Sequence, residues 1–143
     1  MRIFVPMLAF FAAACATQQA APRGAPQLGV EFSWAGVPPC SNVSPRIVVT
    51  DFPPATRRFR LELVDVDSAI SRHGGGEVEA APGGVIPAGA LKSYRGPCPS
   101  QQPIVYEMRV AALDTEGRVV ARGAERQSYS PGTLRRSSRS NQR

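Results

Sequence analysis

The chain has 143 residues, including 14 Pro and 13 Gly, and 43% of it is apolar. That is enough for one domain with a real core, and too little for a two-domain dinucleotide enzyme. The turn-residue content argues against a large helical bundle, and the short apolar runs argue against a polytopic membrane protein. The net charge of +6 belongs mostly to the C-terminal end, because residues 23–126 carry 12 basic and 11 acidic side chains. A basic face for nucleic acid is therefore not expected.

In chain order, Met1-Arg2 precedes an apolar run over residues 3–14 that contains Phe4, Val5, Leu8, Phe10 and Phe11. About 20 apolar residues are needed to span a bilayer, so this run reads as an export signal. Ala12-Ala13-Ala14-Cys15 resembles a bacterial lipobox, with Cys15 as the lipidated first residue of the mature protein. The expectation is a lipid-anchored, periplasmic protein of the bacterial cell envelope. Ordinary cleavage to a soluble periplasmic or secreted product is the alternative, and an uncleaved anchor a third. Residues 15–27, rich in Ala, Gln and Pro, read as a flexible tether. Residues 28–131 read as the domain, and 132–143 as a disordered basic tail carrying Arg135, Arg136, Arg139 and Arg143.

Export bears on Cys40 and Cys98. If Cys15 carries lipid, these two remain of the three cysteines, and an oxidising compartment favours their pairing. Such a bridge contributes roughly 3–4 kcal/mol in the chain-entropy model. Two separate buried thiols are the alternative. With one His in the chain, a four-ligand zinc site is not expected, and no cofactor is implied.

Within the domain, Val30-Glu31-Phe32-Ser33-Trp34 alternates as a half-buried strand, and residues 46–50 form a second, β-branched one. Residues 58–66 alternate strictly, with Phe59, Leu61 and Leu63 inward and Arg58, Arg60 and Glu62 outward. His73-Gly74-Gly75-Gly76 reads as a permissive loop, followed by an extended 77–79. Ala81-Pro82-Gly83-Gly84 is a turn, 85–90 a short segment, and 94–99 a Gly/Pro loop. Residues 104–112 alternate with Ile104, Tyr106, Met108 and Val110 on one side, and 118–124 return after an Asp114-Thr115-Glu116-Gly117 turn. The predicted class is mainly β with little helix.

Several motifs now line up in order: Cys40-Ser41-Asn42-Val43-Ser44-Pro45, Asp65-Val66-Asp67, His73-Gly74-Gly75-Gly76, Tyr94-Arg95-Gly96-Pro97-Cys98-Pro99, Tyr106 and Ala112-Leu113-Asp114. Together they resemble the phosphatidylethanolamine-binding protein family, which includes the Raf-kinase-inhibitor-like proteins, and the glycine-rich form resembles its bacterial branch. The resemblance spans residues 32–124. It implies a β-fold with a central antiparallel sheet and a small pocket for an anion such as phosphate or a phospholipid head group. Asp65, His73, Gly96, Pro97 and Tyr106 would line that pocket, with Asp65 fixing one ring nitrogen of His73 while the other meets the anion. Two positions depart from the family: Ile104 stands where a second pocket His is usual, and Val66 where the motif has Pro.

Each feature also has a plainer reading. His73 can be a loop histidine bonded to Asp65 or Asp67. The two aspartates, two apart on a strand, can be paired carboxylates on one face, or one can cap a loop while the other meets solvent. Tyr94 and Tyr106 can be packed aromatics with satisfied hydroxyls, and Trp34 core or strand-edge packing. The tail can touch anionic surfaces or be simply solvated. A lipase-type reading of His-Gly-Gly-Gly fails because the chain has neither a Gly-x-Ser-x-Gly elbow nor a second His. The leading expectation is a non-enzymatic binding module for a small anion or head group. The alternative is a protein-interaction or inhibitor module of the envelope with a vestigial pocket. A third reading, a phosphoester hydrolase acting at His73, lacks an identifiable nucleophile or metal cluster.

Overall fold

Alternation of apolar and polar side chains sets most of the strands, and a computed structural model shows how they assemble. It describes Gly24 and residues 26–68, 72–98 and 102–130. The expected export signal, Cys15, most of the expected tether and the expected basic tail lie outside the described residues. Eight strands follow in order: β1 (Gly29–Phe32), β2 (Ile47–Thr50), β3 (Arg58–Asp65), β4 (Arg72–Glu79), β5 (Val85–Ile86), β6 (Ser93–Tyr94), β7 (Ile104–Leu113) and β8 (Val119–Tyr129). A single 3-10 turn, Pro82–Gly84, is the only helical element among the described residues.

The strands form two antiparallel sheets, a three-stranded one in the order β1-β2-β5 and a five-stranded one in the order β6-β4-β3-β7-β8. Their apolar faces meet. Val30, Phe32, Ile47, Val49 and Ile86 from the small sheet pack with Phe59, Leu61, Leu63, Met108, Val110 and Ala112 from the large one. The mainly β class and the alternation read over residues 58–66 are as expected.

Several boundaries differ from the sequence reading: β1 ends at Phe32, short of Trp34, and Tyr94 belongs to β6, not to the loop that follows it. The His-Gly-Gly-Gly stretch is not a loop but the first half of β4, with Gly75 paired to both Glu62 and Ser93. β8 continues to Tyr129, five residues past the expected end. Of the residues assigned to the tether, Pro26 and Gln27 run alongside β8: the Arg122 N–H donates to the Pro26 carbonyl, and Gln27 forms a parallel bridge with Arg122.

The other face of the large sheet carries alternating charge. Glu107 on β7 accepts from Arg109 and from Arg126, and Glu77 on β4 pairs with Arg58 and Arg60. No layer of apolar side chains is needed on this side, since an antiparallel sheet can face water.

Candidate functional site

The five residues singled out from sequence converge at one end of the large sheet. Asp65, the last residue of β3, lies directly opposite Tyr106 on β7. His73 reaches the same place through a β-bulge. Glu62 pairs with Gly75 and Val64 with Arg72, so Leu63 alone opposes His73 and Gly74. Such an extra residue bends the strand and re-aims the side chain beside it. Gly74 takes φ +69°, a left-handed conformation open to glycine, and its backbone lies against the Ser93 carbonyl. The glycine at this position is what allows the bulge.

The bulge sets the His73 ring edge-to-face against Tyr106, with centroids 5.0 Å apart. His73 Nδ1 lies 3.1 Å from the Arg95 carbonyl oxygen. A carbonyl only accepts, so Nδ1 carries the proton. The ring nitrogen fixed here is therefore fixed by main chain, where a carboxylate was anticipated. The Arg95 N–H returns a bond to the His73 carbonyl, 2.7 Å.

Gly96 and Pro97 follow directly and are buried. The Gly96 N–H donates to the Ser41 carbonyl and the Cys40 N–H to the Pro97 carbonyl, both at 2.7 Å. A Cβ on Gly96 would sit 2.6 Å from the Ser41 oxygen, so the close approach requires glycine. The disulfide expected between Cys40 and Cys98 is present beside these bonds, with Cα atoms 4.4 Å apart.

Tyr106 is almost wholly buried. Burial raises its phenol above the ordinary range and the Asp65 carboxylate adds to this, while the polar main chain at Cys98 works against both. The hydroxyl stays protonated at neutral pH. Tyr94 is likewise buried, and burial first, then Tyr129 and Tyr106, raise its phenol far above the usual range. The expectation of a satisfied Tyr94 hydroxyl is corrected, because it has no hydrogen-bond partner among the described residues. Trp34 is core packing, edge-to-face on Phe32, Tyr106 and Tyr129, and its Nε1 is also unpartnered among the described residues.

Asp65 and Asp67 do not share a strand face. β3 ends at Asp65, and the Asp67 N–H turns back to donate to Asp65 Oδ1 at 2.9 Å. The capping reading is the one that holds, because a carboxylate that accepts a main-chain N–H two residues on closes a turn. Ile104 is half-buried, packs against the core and lies opposite Tyr129. The position of the family's second histidine is thus apolar packing here. A separate groove of about 540 Å³ is lined by Glu31, Val37, Ser41, Val43, Arg46 and Val48 among others and by none of the five site residues.

Sequence reasoning missed the Arg95 carbonyl and Ser41. Both act through main-chain atoms, which no side-chain pattern signals.

No family model matches the chain. A search of curated proteins finds no match. Among solved structures, the chain is similar to the crystal structure of Escherichia coli YbcL, described as a new member of the mammalian PEBP family. The TM-score is 0.51 at 17% sequence identity, covering 73% of this chain and 98% of that one. At this identity the likeness speaks for the fold alone, and the fold is PEBP-like: mainly β, with two antiparallel sheets.

Proposed function

We propose that the chain is a non-enzymatic, exported binding module of the PEBP type, of the bacterial His-Gly-Gly-Gly form, whose ligand is a small anion or a phospholipid head group. The observation that carries this reading is the convergence of four separate segments on His73: the end of β3, the bulge of β4, the start of β7 and the 95–98 loop. The lipid anchor on Cys15 holds the module at the membrane, and Asp65, His73, Gly96, Pro97 and Tyr106 form the site.

The test is an NMR titration of the full chain with phosphate and phosphoethanolamine, repeated on His73→Ala. Saturable shifts at Asp65, His73 and Gly96, lost in the variant, are expected. No shift at millimolar ligand would sink the anion reading. The second reading, a protein-interaction module, is favoured by the 540 Å³ groove and by Val43, which is 57% exposed at its rim. It predicts partner capture from envelope extract that His73→Ala leaves unchanged and Val43→Asp abolishes.

A further inference from the structure

We propose that the Cys40–Cys98 disulfide is a reversible thiol–disulfide switch site, whose reduction by a dithiol releases the 95–98 loop and takes the candidate anion site apart. The effect on binding rests on the anion reading above; the release of the loop does not.

Both cysteines are exposed, so a dithiol reductant reaches either sulfur. The segments they join, 40–41 and 95–98, belong to no strand. Apart from the disulfide, two main-chain hydrogen bonds link these segments among the described residues, Cys40 N–H to Pro97 and Gly96 N–H to Ser41. Cys40 is held at φ +58°, a left-handed conformation that residues with a Cβ adopt reluctantly. Cutting the bridge lets Cys40 leave that conformation, and the two hydrogen bonds are then the contacts that must hold the loops together.

Every group that the 95–98 loop supplies to the site depends on this clamp. The Arg95 carbonyl holds His73 Nδ1, and Gly96 and Pro97 are bonded to Ser41 and Cys40. The strands between the cysteines, β2 to β6, are paired within their own sheets and do not depend on the bridge for register. The release is therefore local.

In the chemical step, a thiolate of the dithiol attacks one sulfur, giving a mixed disulfide and a Cys thiolate. The second thiol of the reductant then displaces the other cysteine. Two electrons and two protons pass from reductant to protein; the protein leaves with two thiols and the reductant with one disulfide.

The experiment follows the full chain by NMR hydrogen exchange, oxidised and after dithiothreitol, beside a Cys40→Ser/Cys98→Ser variant. Reduction should speed exchange of the Cys40 and Gly96 amides at least about tenfold while amides of the β7–β8 ladder stay protected. Phosphate affinity should fall about tenfold, return on reoxidation, and be low in the double variant. Equal protection in both redox forms would overturn the switch. So would unfolding of the whole domain on reduction, which would make the bond a global staple. If Gly96 is released but the oxidised chain binds no phosphate, the anion reading fails and the loop release stands. Equal phosphate affinity in both forms would remove the functional half of the proposal.

Discussion

Gly96 is the residue at which the backbone leaves no room for a choice. Its N–H bonds the Ser41 carbonyl, and a methyl group there would meet the same oxygen at 2.6 Å. Gly96→Ala must push the 95–98 loop away from Ser41, losing that bond and straining the adjacent Cys40 contact. The expected loss of unfolding free energy is about 1–3 kcal/mol, measured by urea titration, and an unchanged midpoint would show that the loop yields freely. At this scale the sequence was informative about identity and silent about geometry. The motifs placed Asp65, His73, Gly96, Pro97 and Tyr106 on one list, and the fold brings them to one place. What the motifs could not express is the bulge that turns His73, and the Arg95 carbonyl that fixes its proton. Asp67 shows the converse: spacing of two implied a shared strand face, but the strand had already ended at Asp65, and the second carboxylate sits in the turn that the first one closes.

At the scale of elements, strands were legible wherever one face is buried and the other wet. β3 is the clearest example, with Phe59, Leu61 and Leu63 inward. β4 was not legible, because glycine has no side chain to mark a face. The second half of β8 was missed for a related reason: Glu125 and Gln127 occupy its inward positions at the edge of the sheet, so apolar alternation stops although pairing with β7 continues to Tyr129. The β7–β8 ladder also carries a carboxylate held by two arginines. Hydrogen bonds from Arg109 and Arg126 hold the Glu107 carboxyl below its ordinary range, against a smaller opposing effect of burial. A carboxylate whose folded pKa is depressed adds stability that is fully present above its unfolded pKa, about 4.3, and disappears as pH falls through the folded value. Unfolding free energy should thus decline from about pH 5 downward. Glu107→Gln should cost about 1–2 kcal/mol at neutral pH and flatten that decline. Denaturant midpoints from about pH 7 to about pH 3 check this; parallel profiles for the two proteins would show that the ion pairs contribute no linkage.

Over the whole molecule, the question is what makes two small sheets one cooperative unit. A three-stranded sheet with strands of four, four and two residues has too little surface to fold alone. It is stabilised by the face it lays on the large sheet. Trp34 stands at the centre of that contact: it follows β1, yet packs edge-to-face on Tyr106 of β7 and Tyr129 of β8 at centroid distances of 6.1 and 5.6 Å. Tyr129 ties the same segment down again, its hydroxyl donating to the Val37 carbonyl at 2.9 Å. The division of strands between two sheets had no local signature in the sequence, since it depends on pairings such as β3 with β7, from Asp65 with Tyr106 to Arg58 with Leu113, between residues far apart in the chain. Trp34 is the single tryptophan, so its fluorescence reports the junction between sheets while far-UV circular dichroism reports the strands themselves. If the sheets stand or fall together, the two signals have the same denaturant midpoint and slope. Trp34→Ala should then lower stability by about 3–5 kcal/mol by both β-sheet content and any second probe. A fluorescence transition that precedes the loss of strand signal would mean that the small sheet detaches first and that the large sheet is a folding unit by itself.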